Sequence, residues 1–252
     1  MQMTMGTQTM PACRICGSAH TAFVRDVQMR RLKQTSPLYY CLFCESFTHP
    51  QIYTEPEDQL KRDSEWHITV EERNTRWSNN FLNGVVQKRD VKSIIEIGCA
   101  TGTMLSVARR RAIQVYGFDT NPYVKKLAWE QHGINVQDEL WDRNSIRRPV
   151  DLVACISVME HLPDPQMLMS EIGAYCAAHG AAAYISVPFM TEKTDLHWLD
   201  AEIPETIANP FYLVDVHINH FSRTGFELMA TRAGAKVISP EALGWHGYYL
   251  EF

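Results

Sequence analysis

The chain has 252 residues, 45% of them hydrophobic, enough for one sizeable core plus a small accessory module. Asp and Glu outnumber Lys and Arg by 29 to 24, a net charge of −5, which argues against a surface built to grip a nucleic-acid backbone. No secretory signal, membrane-length apolar run, repeat or low-complexity tract interrupts the sequence, so a cytoplasmic location away from the membrane is expected.

In chain order, the first signal is a pair of knuckles, Cys13-x-x-Cys16 and Cys41-x-x-Cys44, with 24 residues between them. Each knuckle brings two thiolates to one side of a tight turn, and together they supply the closed tetrahedral shell expected of structural zinc. A pair of disulfides is the alternative, and the missing secretory signal argues against it. With the strand character of PLYYCLFC, residues 1–52 are expected to form a zinc ribbon. Its Arg14, Arg25, Arg30, Arg31 and Lys33 against Asp26 and Glu45 make a mildly basic surface that reads as a solvated face. Residues 53–90 are polar but dotted with Trp66, His67, Ile68, Trp77, Phe81 and Leu82, and EERNTRWSNNFLNGVVQ has amphipathic helical spacing. This stretch is expected to be a helical lid and linker leading into a domain over 91–252.

That domain opens with an apolar strand over Ser93–Ile97, a turn holding Gly98 and Gly102, and a helix from Thr103 with Met104, Leu105, Val107 and Ala108 on its buried side. Neither glycine has a Cβ, so the backbone can turn tightly and a ligand can lie against it. A dinucleotide fingerprint would need glycines where Ala100 and Thr103 stand, so the pattern is instead acid-x-Gly-x-x-x-Gly, beginning at Glu96. Gln114–Phe118 is the second strand, and Asp119 at its end can accept both hydroxyls of a ribose. A helix over 121–132, with Pro122 first and Gly133 just after, leads to a third strand over 134–136. Further strands are expected over 150–156, 181–187, 235–238 and 248–252, with helices over 164–176 and 222–233. Alternating strands and helices argue for an α/β doubly wound sheet with helices on both faces.

The EIGCATG motif resembles the first motif of the class I S-adenosylmethionine-dependent methyltransferases, with Ala100 in place of the usual middle glycine. The resemblance implies a Rossmann-like sheet ending in an antiparallel hairpin, and S-adenosylmethionine as cofactor. It implies that Glu96, Gly98, Cys99, Ala100 and Gly102 receive the amino-acid end of the cofactor and that Asp119 and Thr120 take the ribose. Asp138 would meet the adenine amino group, Glu139 or Leu140 would line the ring, and Ile156 and Ser157 would edge the site. With CRICGS and YYCLFCESFTHP upstream, the whole chain resembles a bacterial group of methyltransferases that carry an N-terminal zinc ribbon and act on small molecules such as sugars and secondary metabolites.

An acceptor hydroxyl would benefit from a base, and His161, just after the strand over 150–156, is the first candidate, with His217 and His220 as alternatives. The SVMEH segment is similar to the acid-x-x-acid-His segment that holds a divalent cation in the ubiquinone-pathway O-methyltransferases, but Ser157 replaces the first acid and no catalytic metal is expected. Tyr184, Phe189, Trp198, Phe211, Tyr212 and Phe221 are candidates for an apolar acceptor wall, and HWLD at 197–200 adds polar groups. An enzyme that uses the sulfonium differently, an RNA methyltransferase and a non-catalytic cofactor-binding module remain as alternative readings.

Overall fold

The computed structural model describes residues 11–29, 34–50, 56–146, 148–189, 217–242 and 246–252. Two antiparallel strands come first, β1 (Thr21–Met29) and β2 (Gln34–Cys41), with Thr21 opposite Cys41, and the short β3 (Phe47–Thr48) extends them. Helices α1 (Glu57–Thr69) and α2 (Glu71–Lys88) follow. The larger domain then runs β4 (Ser93–Ile97), α3 (Thr103–Arg110), β5 (Gln114–Phe118), α4 (Pro122–His132), β6 (Val136–Gln137), β7 (Leu152–Ile156), α5 (Pro165–His179) and β8 (Ala182–Ser186). It closes with β9 (Asn219–His220), α6 (Arg223–Arg232), β10 (Val237–Ala242) and β11 (His246–Glu251).

The large sheet has the order β10-β11-β8-β7-β4-β5-β6. Strands β4 to β8 pair in parallel, while β11 runs antiparallel to both β8 and β10. Successive side chains point to opposite faces, and the core divides accordingly. Ile95, Ile97, Val153, Cys155, Ala183 and Ile185 pack with Leu168, Ile172, Phe226 and Met229 of α5 and α6. Ile94, Leu152, Ala154, Ala182 and Tyr184 pack with residues of α2, α3 and α4, including Phe81, Leu105 and Val124.

Local chemistry fixes the helix ends. The Asn121 side chain accepts from the Tyr123 amide at 3.0 Å, Pro122 takes the first turn, and Gly133 ends α4 at φ 61°. Asp164 and Ser222 cap α5 and α6 in the same way, accepting from Met167 and Gly225. The third strand lies at Val136–Gln137 rather than over 134–136, because the Ile134 amide is used to close α4, donating to Ala128 O at 3.2 Å. The last strand starts at His246, two positions before the expected 248.

The ribbon's sheet has the order β1-β2-β3-β9, and its last strand comes from far along the chain. Phe47 pairs with His220 and Thr48 with Asn219. Cys13, Ile15, Cys16, Cys41 and Cys44 share one buried cluster with Phe221 and Phe226. Polar bonds reinforce the seam: Arg14 donates to the carbonyls of His49, Pro50 and Pro163, Gln166 donates to Arg14 O, and Arg232 donates to Cys16 O. The Ser222 hydroxyl donates to Cys44 O.

Candidate functional site

The turn after β4 is a run of left-handed residues, Gly98 at φ 70°, Ala100 at 46° and Gly102 at 75°. A Cβ on Gly98 would stand 2.3 Å from Val158 Cγ2, so that glycine is required by packing as well as by conformation, while one on Gly102 would stand a tight 3.2 Å from Ile134 Cγ2 in a left-handed backbone. Ala100 occupies a conformation that costs an L-residue roughly 1 kcal/mol or more, and backbone strain of this kind gathers at functional sites. The Gly98 and Cys99 amides donate to Phe118 O at 2.8 and 3.1 Å, tying the turn to the end of β5.

Asp119 sits where that tie ends. One of its carboxylate oxygens accepts from the Ala100 amide and the other from the Asn121 amide, each at 2.8 Å. Burial raises its pKa, opposed by those two bonds and by the nearby His67 of α1. Glu96 is buried at the end of β4 with Oε2 lacking a hydrogen-bond partner among the described residues, and desolvation, then the Asp119 charge, push its pKa well above the usual carboxylate range. An unpartnered buried carboxylate oxygen is costly without a ligand and suits a cationic group such as the amino end of S-adenosylmethionine. These residues therefore fit the cofactor.

Helix α1 covers this region. Asn121 Nδ2 donates to Leu60 O and Ser64 Oγ, both at 3.0 Å, and Tyr123 donates to Glu57. Glu71, at the start of α2, accepts from Thr103 Oγ1 at 2.6 Å and lies 3.3 Å from His132 Nε2. His67 and Glu71 carried no specific role in the sequence reading; their signal is only that they fall within the expected lid. Arg73 lies over the Trp66 ring, 5.2 Å from its centroid. Asp138, Glu139, Leu140 and Thr120 are exposed, and Asp138 pairs with Lys125 Nζ at 2.8 Å, which lowers its pKa.

On the other flank, Ile156 is half-buried and Ser157 is exposed at φ 54°, followed by a single 3₁₀ turn over Met159–His161. Val158 in this segment is the side chain pressed against Gly98. His161 and His217 lie edge to face, 4.7 Å between ring centroids, and His217 lies 6.4 Å from His220. His220 in turn faces His49, at 5.6 Å. Tyr184 is fully buried under the sheet against Phe81, whereas Phe189 joins Phe226 and Tyr248 in an aromatic cluster beside Phe221. Trp198, Phe211, Tyr212 and the 197–200 segment lie outside the described residues.

In the ribbon, Cys13 Sγ lies 3.7 Å from Cys44 Sγ and Cys16 Sγ 3.5 Å from Cys41 Sγ, and the four sulfurs fall within 4.8 Å of one another. Tetrahedral zinc with Zn–S bonds of about 2.3 Å sets its sulfurs about 3.8 Å apart, so the cluster fits structural zinc. Burial, with hydrogen bonding to neighbouring thiols, pushes Cys16 up to about 12, and hydrogen bonding to Cys13 together with burial raises Cys44 further. Without an ion such thiols stay protonated; coordinated zinc removes the protons.

Strand order, the antiparallel final hairpin, the glycine turn and the acid ending β5 together define a class I S-adenosylmethionine-dependent methyltransferase fold. A family described as "Methyltransferase domain" matches residues 69–239, and the chain belongs to that family. The "Ubiquinone biosynthesis O-methyltransferase" of Klebsiella pneumoniae (strain 342) is 29% identical over 85 residues, a segment covering 31% of this chain and 35% of that protein. Human N-acetylserotonin methyltransferase, solved in complex with S-adenosylmethionine, superposes with a TM-score of 0.56 at 14% identity, covering 78% of this chain and 56% of that one. The plantazolicin methyltransferase BpumL, solved with S-adenosylhomocysteine, gives 0.51 at 13% identity, covering 77% of this chain and 89% of its own. No helix among the described residues is long and apolar enough to cross a membrane.

Proposed function

We propose that the chain transfers a methyl group from S-adenosylmethionine to a small-molecule acceptor. The observation that carries this reading is the coupled pair of turns at the ends of β4 and β5, where Asp119 is held by the Ala100 amide beside Glu96, whose Oε2 has no partner among the described residues. On this reading Glu96, Gly98, Cys99, Ala100 and Gly102 hold the methionine end and Asp119 with Thr120 takes the ribose. Asp138, Glu139 and Leu140 flank the adenine, while Ile156 and Ser157 border the acceptor. The cofactor supplies an already activated methyl on a sulfonium. The protein's share is alignment, exclusion of water and, for a protic acceptor, removal of a proton by His161, His217 or His220.

A small acceptor is supported by the acidic charge balance, which disfavours RNA, and by the similarity to a methyltransferase named for ubiquinone biosynthesis. The proposal includes three working parts, a ribbon over 1–52, a helical lid over 53–90 and the catalytic domain over 91–252. A cytoplasmic location is in keeping with seven buried cysteines, none of them joined in a disulfide. The test is calorimetric titration of the zinc-loaded protein with S-adenosylhomocysteine, repeated for Asp119→Ala, followed by a screen of hydroxyl, amine and activated-carbon acceptors. Binding abolished by the substitution is expected; a folded wild-type protein that does not bind would overturn the reading.

A further inference from the structure

Glu160 is the second residue of the 3₁₀ turn and is 1% exposed, yet its two carboxylate oxygens meet no donor from another residue among the described ones. One ligand-type atom from each of Glu160, His161 and His217 lies within 4.8 Å of the others. The grouping is held by backbone. The Ile218 amide donates to Glu160 O at 2.9 Å, and Asn219 Nδ2 donates to Met159 O at 3.1 Å and Leu162 O at 2.7 Å. These bonds fix residues 217–219 against the turn that follows β7. Val158, two residues before Glu160, packs on Gly98, so the cluster adjoins the cofactor turn.

We propose that Glu160, His161 and His217 form one proton-accepting site and that the acceptor reacts through a hydroxyl; this rests on the methyltransferase reading above. The hydroxyl O–H bond breaks and its proton passes to an imidazole of the pair. The electron pair left on oxygen forms the new bond to the methyl carbon, and the pair of the broken carbon–sulfur bond stays on sulfur, which leaves neutral. Glu160 is the positioning residue. An imidazolium beside these buried groups is costly unless an anion faces it, and the Glu160 carboxylate, which meets no donor from another described residue, supplies that charge.

Other groups around the cluster do not take this role. Cys155 of β7 is held as a neutral thiol, mainly by burial and further by the Glu160 and Glu96 charges. Burial holds His49 down at about 4, and Arg14 spends its guanidinium on carbonyl oxygens. His220 lies one ring further out. Burial alone pushes Glu160 up to about 8, and an imidazolium formed beside it draws the carboxyl back to its charged form.

The experiment is an NMR titration of the histidine side chains in the full-length, zinc-loaded protein saturated with S-adenosylhomocysteine. His161 and His217 are expected to titrate in linked steps, and Glu160→Gln should lower their apparent pKa values by about one pH unit or more, with Glu160→Asp restoring part of the fall. If Glu160→Gln does not fold, His217→Asn read at His161 serves the same purpose and should shift it. Unchanged histidine titrations in a folded variant that still binds S-adenosylhomocysteine would overturn the proposal. So would selective broadening of the His161 and His217 signals by micromolar Mn²⁺, which would give the three side chains to a cation, or turnover confined to acceptors with no proton on the methylated atom. Failure of the wild-type protein to bind S-adenosylhomocysteine would instead defeat the parent reading, so the two failures are separable.

Discussion

The cofactor turn and the Glu160 turn leave neighbouring strands of one sheet, β4 and β7, but they are assembled from different depths of the chain. The first is a short-range construction, in which Asp119 reaches back 19 residues to Ala100 and forward two to Asn121. The second depends on long-range closure. His217 lies just before β9, which pairs with the ribbon strand β3, and Ser222 reaches Cys44 across 178 residues. A site half built from contiguous segments can tolerate loosening elsewhere; the other half holds its geometry only while the ribbon does.

The strongest way to break that comparison is to remove the metal expected at the ribbon. Structural zinc contributes on the order of 10 kcal/mol of folding free energy, and Cys44→Ser or a strong chelator forfeits it. Hydrogen exchange is expected to show β3 and β9 losing protection together while β4 and β5 keep theirs, with S-adenosylhomocysteine affinity falling less than tenfold. If both halves melt as one, the division drawn above is wrong.

On the cofactor side the largest effect belongs to Gly98→Ala. The new Cβ meets Val158 Cγ2 at 2.3 Å in a left-handed backbone, so strain and overpacking together should cost about 3 kcal/mol. Urea denaturation would measure the loss. Because Val158 lies between the two turns, nuclear magnetic resonance shifts should appear at His161 as well; their confinement to the β4 turn would separate the two halves further.

A pH experiment addresses the ribbon seam. His49 is buried against Ser36 Oγ and Pro37 O and titrates at about 4 instead of about 6.5. Between those values the unfolded chain takes up a proton that the folded chain refuses, so stability falls as pH drops through that window, by at most about 3 kcal/mol. His49→Gln should flatten the acid limb of a thermal-melting profile recorded from pH 7 to pH 4. An unchanged limb would assign the acid sensitivity to other groups.

What was legible in the sequence follows the same division. The β4–α3 turn, Asp119 and the helix starts near Pro122 and Asp164 were readable because each rests on residues a few positions apart, where conformation and hydrogen bonding are dictated locally. The four cysteines were readable because knuckle spacing is chemically constrained. Nothing local, by contrast, marks Asn219–His220 as a strand of the ribbon. Its pairing with Phe47–Thr48 joins segments far apart in the chain, which no local pattern announces. Glu160 illustrates the harder case. In the sequence it reads at most as part of a weak cation site, and its significance comes from being buried with no partner among the described residues, which is a property of packing. His67 and Glu71 were hidden for the same reason, since only the fold brings the lid helices onto Asp119 and Thr103.

The smallest predicted effects give the finest comparison. Ala100 and Ser157, each just beyond the end of its strand, share a left-handed backbone, at φ 46° and 54°. Glycine at either position removes the Cβ penalty at the expense of a more flexible unfolded chain, and the balance at positive φ favours glycine by up to about 1 kcal/mol. Ala100→Gly is therefore expected to stabilise the protein slightly and leave S-adenosylhomocysteine binding unchanged, because Asp119 grips the Ala100 amide and not its side chain. Ser157→Gly should relieve the same strain on the acceptor side. If both variants gain equally in chemical denaturation, the two turns are strained only by backbone geometry. A smaller gain or a loss at Ser157 would mean that its hydroxyl takes part in the site, since both residues sit at positive φ and the serine side chain differs from alanine by that hydroxyl.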